Sequence, residues 1–94
     1  MRLDKYLKVS RLIKRRTLAK EVCDNGRVSV GGRVAKAGTE VSVGDAIELR
    51  FGSRTMSVRV EKIAENMRKE VAHEMYTVLS DNRLPDDLEN EEDD

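Results

Sequence analysis

Residues 2–34 read RLDKYLKVSRLIKRRTLAKEVCDNGRVSVGGRV, and the spacing of apolar residues changes period inside that segment. Leu3, Tyr6 and Leu7 recur at i, i+3 and i+4, which predicts a short amphipathic helix over about 4–10 with Asp4 as its N-cap. Arg11 to Arg16 form a basic connector that Leu12 and Ile13 would anchor to the core. Thr17 suits the N-cap of a second helix whose apolar stripe is Leu18, Ala19, Val22 and Cys23. Asn25-Gly26 supplies a left-handed exit from that helix. Beyond it the period is two: Val28 and Val30 alternate with Arg27 and Ser29, and Gly31-Gly32 makes a tight turn before Arg33-Val34.

Working outward, Gly44-Asp45 is a further turn, after which Ile47, Leu49 and Phe51 alternate with Glu48 and Arg50. Gly52-Ser53 fits a two-residue hairpin loop with Gly first. The return strand sends Met56, Val58 and Val60 inward and Thr55, Ser57 and Arg59 outward. Val71, Met75, Val78 and Leu79 can share one helical face, so a last helix is predicted over about 70–80. Pro85 and the acidic run to Asp94 predict a disordered tail. The fold class expected is α+β: two short N-terminal helices packed on a small, mainly antiparallel sheet, with a C-terminal helix and a disordered acidic tail.

The formal net charge of zero conceals a segregation of charge. Residues 1–80 carry 17 Lys and Arg against 10 Asp and Glu, whereas residues 81–94 carry Arg83 against eight acids. Within residues 1–20, eight basic side chains face only Asp4. Such clustering attracts polyanions even when the whole chain is neutral. The acidic tail should compete with phosphate for the basic face, or repel RNA near it, over a Debye length of about 8 Å at physiological salt.

Enzyme chemistry is not assembled. A single His (His73) and a single Cys (Cys23) cannot supply a common zinc site, so no metal or cofactor is implied. His73 reads as a helix-surface residue and Cys23 as a small core hydrophobe. Phosphate-loop, calcium-loop and nucleophile-elbow motifs are missing, and paired carboxylates are confined to the tail. A chain of 94 residues buries only about 60% of its unfolded surface, leaving little room for an enclosed active site. No apolar run could cross a bilayer or serve as a signal peptide, and one cysteine suits a reducing compartment, so a cytoplasmic protein without a membrane partner is expected.

The candidate RNA-binding residues are Arg2, Lys5, Lys8, Arg11, Arg15, Arg16 and Lys20, which could all project towards a phosphate backbone. An arginine fork can hold two phosphate oxygens at once. Asp4 and Thr17 are assigned capping or orienting roles, with the first amides near Thr17 adding a weak anion site. Only Tyr6, Phe51 and Tyr76 are aromatic, and Phe51 falls on a buried face, so a stacking platform for single-stranded bases is nearly absent. Backbone and shape recognition of folded RNA remains. DNA stays open on these grounds, although a connector of about six residues is long for a helix-turn-helix.

Arg2-Leu3-Asp4-Lys5-Tyr6-Leu7, Arg16, Ala19, Asn25-Gly26-Arg27-Val28, Val30-Gly31-Gly32 and Val43-Gly44-Asp45 with Ile47 together resemble the RNA-binding domain named after small-subunit ribosomal protein S-four. Gly31 departs from that family, which commonly has Asn before the turn glycine. The likeness divides the chain into an S-four-type domain over 1–62, a C-terminal helical extension over 63–80 and the acidic tail over 81–94. The stretch Leu7 to Val22, with Arg50-Phe51-Gly52 and Met75-Tyr76-Thr77, is similar to the stand-alone members that act in ribosome-associated quality control. That resemblance implies several partners: large-subunit ribosomal RNA, peptidyl-tRNA, a stalled large ribosomal subunit and a larger tRNA-recruiting quality control protein. It also implies support for alanine tailing of stalled chains without catalysis, with Arg2 and Arg16 facing RNA. A small heat-shock protein with the same domain is similar over the N-terminal half, which keeps open an rRNA-binding chaperone or large-subunit assembly factor.

Overall fold

The computed structural model describes residues 1–52 and 54–83, Arg83 by its backbone alone. Two α-helices, α1 (Leu3–Val9) and α2 (Arg16–Asp24), precede strands β1 (Val28–Val30), β2 (Arg33–Val34), β3 (Ala46–Phe51) and β4 (Arg54–Val60). A 3₁₀ helix, Lys69–Met75, then leads directly into β5 (Tyr76–Arg83). The five strands form one antiparallel sheet in the order β2-β1-β3-β4-β5. This is the expected α+β arrangement.

The alternation seen in sequence sets the packing. Ile47 and Leu49 of β3 and Val58 and Val60 of β4 are buried, while Glu48, Arg50 and Arg59 are exposed. Against that buried face lie Leu3, Tyr6 and Leu7 of α1 and Ala19, Val22 and Cys23 of α2. Ile13 anchors the connector in the same core, with Leu12 packed beside it. Leu18 leaves the expected stripe and is exposed. Phe51 is partly buried.

The turns follow from backbone chemistry. Val30 pairs with Arg33, so Gly31-Gly32 is a two-residue loop, and both glycines have positive φ, 61° and 85°. That conformation favours Gly or Asn, which explains why Gly31 can stand where the family it resembles commonly has Asn. At the end of α2 the Gly26 amide donates to the Cys23 carbonyl (3.0 Å) and the Arg27 amide to the Val22 carbonyl (3.1 Å), a Schellman motif with Gly26 left-handed. The end of α1 has the same left-handed position, but Arg11 occupies it at φ 66°.

Three sequence expectations need correction. Residues 76–80, expected in the last helix, are strand: β5 pairs along β4 from Val60↔Tyr76 to Arg54↔Arg83, and within 70–80 only the part up to Met75 is helical. Long-range pairing with an open strand edge overrides a spacing that also fits a helix. Asp4 is not an N-cap, because α1 begins at Leu3 with Arg2 as the cap residue. The first two amides of α1 are instead satisfied by a distant loop, Leu3 donating to the Thr39 carbonyl (2.8 Å) and Asp4 to the Ala37 carbonyl (3.1 Å). Thr17 likewise lies inside α2, whose cap residue is Arg15. The tail expected to be disordered lies outside the described residues beyond Arg83, and Asp81 to Arg83 belong to β5.

The C-terminal elements are fastened to α1 at one atom. The Met75 carbonyl accepts hydrogen bonds from the buried Tyr6 hydroxyl (2.7 Å) and from the amides of Glu61 (2.8 Å) and Lys62 (3.2 Å). Burial pushes the Tyr6 phenol well above its ordinary range, so it remains a donor.

Arg11 holds a conformation that costs a residue with a Cβ about 1 kcal/mol relative to Gly. Arg11→Gly is therefore expected to raise the unfolding free energy by about 0.5–1 kcal/mol in a urea titration. Unchanged or reduced stability would show that contacts of the side chain outweigh the backbone strain.

Candidate nucleic-acid interface

The interface is organised by a buried acid. Asp4 lies in the first turn of α1 and is 2% exposed. Its Oδ1 accepts the Lys5 amide (2.8 Å) and Arg2 Nε (3.2 Å). Its Oδ2 accepts Arg2 Nη2 (3.3 Å) and lies 3.6 Å from Arg16 Nε. Arg2 thus grips the carboxylate with one edge of its guanidinium, Nε and Nη2, from α1's own cap position. Arg16 reaches it from the start of α2. A carboxylate removed from water is tolerated only when it is paired and hydrogen-bonded, and here two guanidinium groups and an amide do both.

The same arrangement leaves donors pointing outward. The Arg2 and Arg16 side chains are 53% and 50% exposed, so each spends one edge on Asp4 and offers the rest of its fork to solvent. With Thr17 and Lys20 they surround an open cavity of about 440 Å³. Such a fixed pair of forks suits phosphate oxygens, which arginine binds in a two-pronged geometry.

The other sequence-derived residues sit around this centre. Lys5, Lys8, Arg11 and Arg16 border a second open cavity of about 200 Å³, with Glu65, Asn66 and Met67 also lining it. Lys5 is ion-paired to Glu65 there, and the hydrogen bond holds the Glu65 carboxyl below its usual range. Its charge is therefore offset, which the local sequence gave no means of seeing. Arg11 donates weakly to the Met67 carbonyl (3.5 Å). Arg15 is exposed at the cap position of α2. Two cations outside the sequence-derived set, Lys14 and Lys69, stand with Arg11 around a third cavity. Lys14 belongs to the basic run of residues 1–20, but Lys69 arrives only through the tertiary fold.

Burial, followed by the charges of Asp4 and Asp24, pushes the Cys23 thiol up to about 11, so it is a protonated core residue at neutral pH. Among the described residues no three His, Cys, Asp or Glu side chains come together as a metal site, and no helix is long and apolar enough to cross a membrane.

Comparison with known proteins shows the family and the fold. Residues 1–47 match the family model of the S4 domain. The RQC P-site tRNA stabilizing factor of Listeria innocua is 57% identical over 83 residues, 88% of this chain and 90% of that protein. The factor of the same name from Bacillus subtilis is 54% identical over 84 residues, 89% of this chain and 98% of that one. Among solved structures, the trimeric heat shock protein 15 of Vibrio cholerae superposes with a TM-score of 0.77 at 30% identity, covering 99% of this chain and 90% of that one.

Because Arg2 and Arg16 share one buried carboxylate, their effects on stability should not add. Arg2→Ala or Arg16→Ala alone leaves Asp4 one guanidinium, whereas the double variant strands it. A double-mutant cycle by urea denaturation is expected to give a coupling energy of about 1–2 kcal/mol. Additivity within about 0.5 kcal/mol would mean that Asp4 does not depend on both arginines.

Proposed function

The chain belongs to the S4-domain family and, within it, to the RQC P-site tRNA stabilizing factors, and from that premise we propose that it is a non-catalytic RNA-binding factor of ribosome-associated quality control. It works in the cytoplasm on the stalled large ribosomal subunit. There the Arg2–Arg16 face grips phosphates of large-subunit rRNA or of the peptidyl-tRNA. The observation that carries this reading is the pair of half-exposed guanidinium groups oriented by buried Asp4. Lys8, Arg11 and Lys20 extend the same face, Arg15 adds an exposed charge at the cap of α2, and Lys5 contributes less because Glu65 pairs with it.

The task this implies is positional. A protein that fixes a tRNA against the subunit holds the reacting ends still while a larger tRNA-recruiting partner delivers substrates for alanine tailing of the nascent chain. No group on this chain needs to touch a reacting atom. The likeness to heat shock protein 15 favours a second reading, an rRNA-binding chaperone or large-subunit assembly factor using the same face.

Sedimentation of cell lysates separates the two. The parent is expected in large-subunit fractions that carry tRNA, and Arg2→Ala and Arg16→Ala should each leave those fractions. Lysine at either site should restore only part of the binding, because it keeps charge without the fork. Alanine variants that sediment like the parent would show that another surface binds. Association with immature particles lacking tRNA would favour the assembly reading.

A further inference from the structure

The third cavity lies between the end of α1 and the C-terminal 3₁₀ helix, in an open cleft of about 480 Å³. Arg11 and Lys14 border it from the N-terminal connector, and Lys69 and His73 from the 3₁₀ helix. All four side chains are exposed, and none of the described residues lining the cleft is acidic. Its deeper part is different in kind: Ser10 and Ala72 are buried and Tyr76 partly buried, so the floor carries an aromatic ring and one small hydroxyl. A cationic rim above an aromatic floor matches a nucleotide, which carries phosphate outside and a flat base inside. The volume falls in the range of about 300–1,000 Å³ usual for small-molecule sites.

Two further observations give the cleft a place. It is continuous with the face already described, since Arg16 borders the first and second cavities and Arg11 the second and third. Arg11, at that junction, is the residue kept in a left-handed backbone conformation that glycine would occupy more cheaply. Strain retained at a charged surface residue is the kind found where a side chain must be aimed. The Tyr6 hydroxyl bond to the Met75 carbonyl ties the 3₁₀ helix to α1, and so ties the cleft's two sides to each other.

We propose that this cleft is a second RNA subsite that takes one unpaired nucleotide, its phosphates on Arg11, Lys14 and Lys69 and its base against Tyr76. It rests on the reading of the Arg2–Arg16 face as an RNA surface. It also adds the C-terminal segment, which lies outside the matched residues 1–47, to the binding footprint. An RNA with an extruded base beside a duplex would therefore engage both subsites, and a plain duplex only the first.

The test compares the full chain binding a short RNA duplex with the same duplex carrying a single bulged adenosine. The parent should prefer the bulged RNA, and that RNA alone should quench the emission of Tyr76, Tyr6 being sealed in the core. The double variant Lys14→Ala/Lys69→Ala, at two exposed positions, should bind the bulged RNA about tenfold more weakly and the plain duplex within about twofold. Its salt slope on the bulged RNA should fall by about one unit. Equal weakening on both RNAs, no change on either, or no quenching by the bulged RNA would overturn the nucleotide subsite. Binding of an oligoglutamate peptide that the double variant loses, with RNA affinity intact, would assign the cleft to an acidic protein segment instead. Failure of Arg16→Ala to weaken either RNA, with the Lys14/Lys69 effect present, would sink the proposed function and leave the cleft standing.

Discussion

A single buried carboxylate, Asp4, fixes the geometry on which the rest of the proposed binding surface depends. Its position is set by the chain around it: the Leu3 and Asp4 amides are tied to carbonyls of the 37–39 loop, so α1 cannot begin elsewhere. From that fixed point the carboxylate holds Arg2, at the cap of α1, and Arg16, at the start of α2. Two side chains that would otherwise sample many rotamers are pre-oriented, which reduces the entropy lost when a phosphate binds. The acid therefore serves the fold and the surface at once. It is a core residue by burial, and what it holds is the arginine pair of the proposed interface.

Local signals in the sequence were sufficient for most of the architecture. The i, i+3, i+4 spacing of Leu3, Tyr6 and Leu7 and the two-residue alternation through Ile47, Leu49, Val58 and Val60 each report one buried face, and each face is buried in the fold. Gly26 and Gly31-Gly32 marked turns whose positive φ angles require them. Misreadings arose where a distant segment supplies the partner. Asp4 looked like a cap because nothing near it in sequence shows that Ala37 and Thr39 take over the helix amides. The spacing of Val71, Met75, Val78 and Leu79 suits a helix, but β4 offers an unpaired edge and draws residues 76–83 into the sheet, leaving Val78 and Leu79 about half exposed.

The site divides in the same way. The concentration of basic residues in the first twenty positions was visible at once, and most of them lie on connected cavities. Which charges are free was not visible. Lys5 is paired with Glu65, sixty residues away, and Lys69 joins Arg11 only after the 3₁₀ helix packs beside the connector. Charge counting finds the surface; pairing decides which of its charges are offset.

Asp4→Asn separates orientation from charge within this account, because it leaves every arginine in place and adds one unit of positive charge to the surface. A surface that worked by charge alone would bind a structured RNA more tightly at low salt after this change. The account predicts the reverse: weaker binding by about tenfold, with a loss of folding stability of about 1–2 kcal/mol from the charge-assisted hydrogen bonds removed. An Asp4→Asn variant that binds structured RNA as tightly as the parent, or more tightly, would contradict the claim that the buried carboxylate builds the RNA surface.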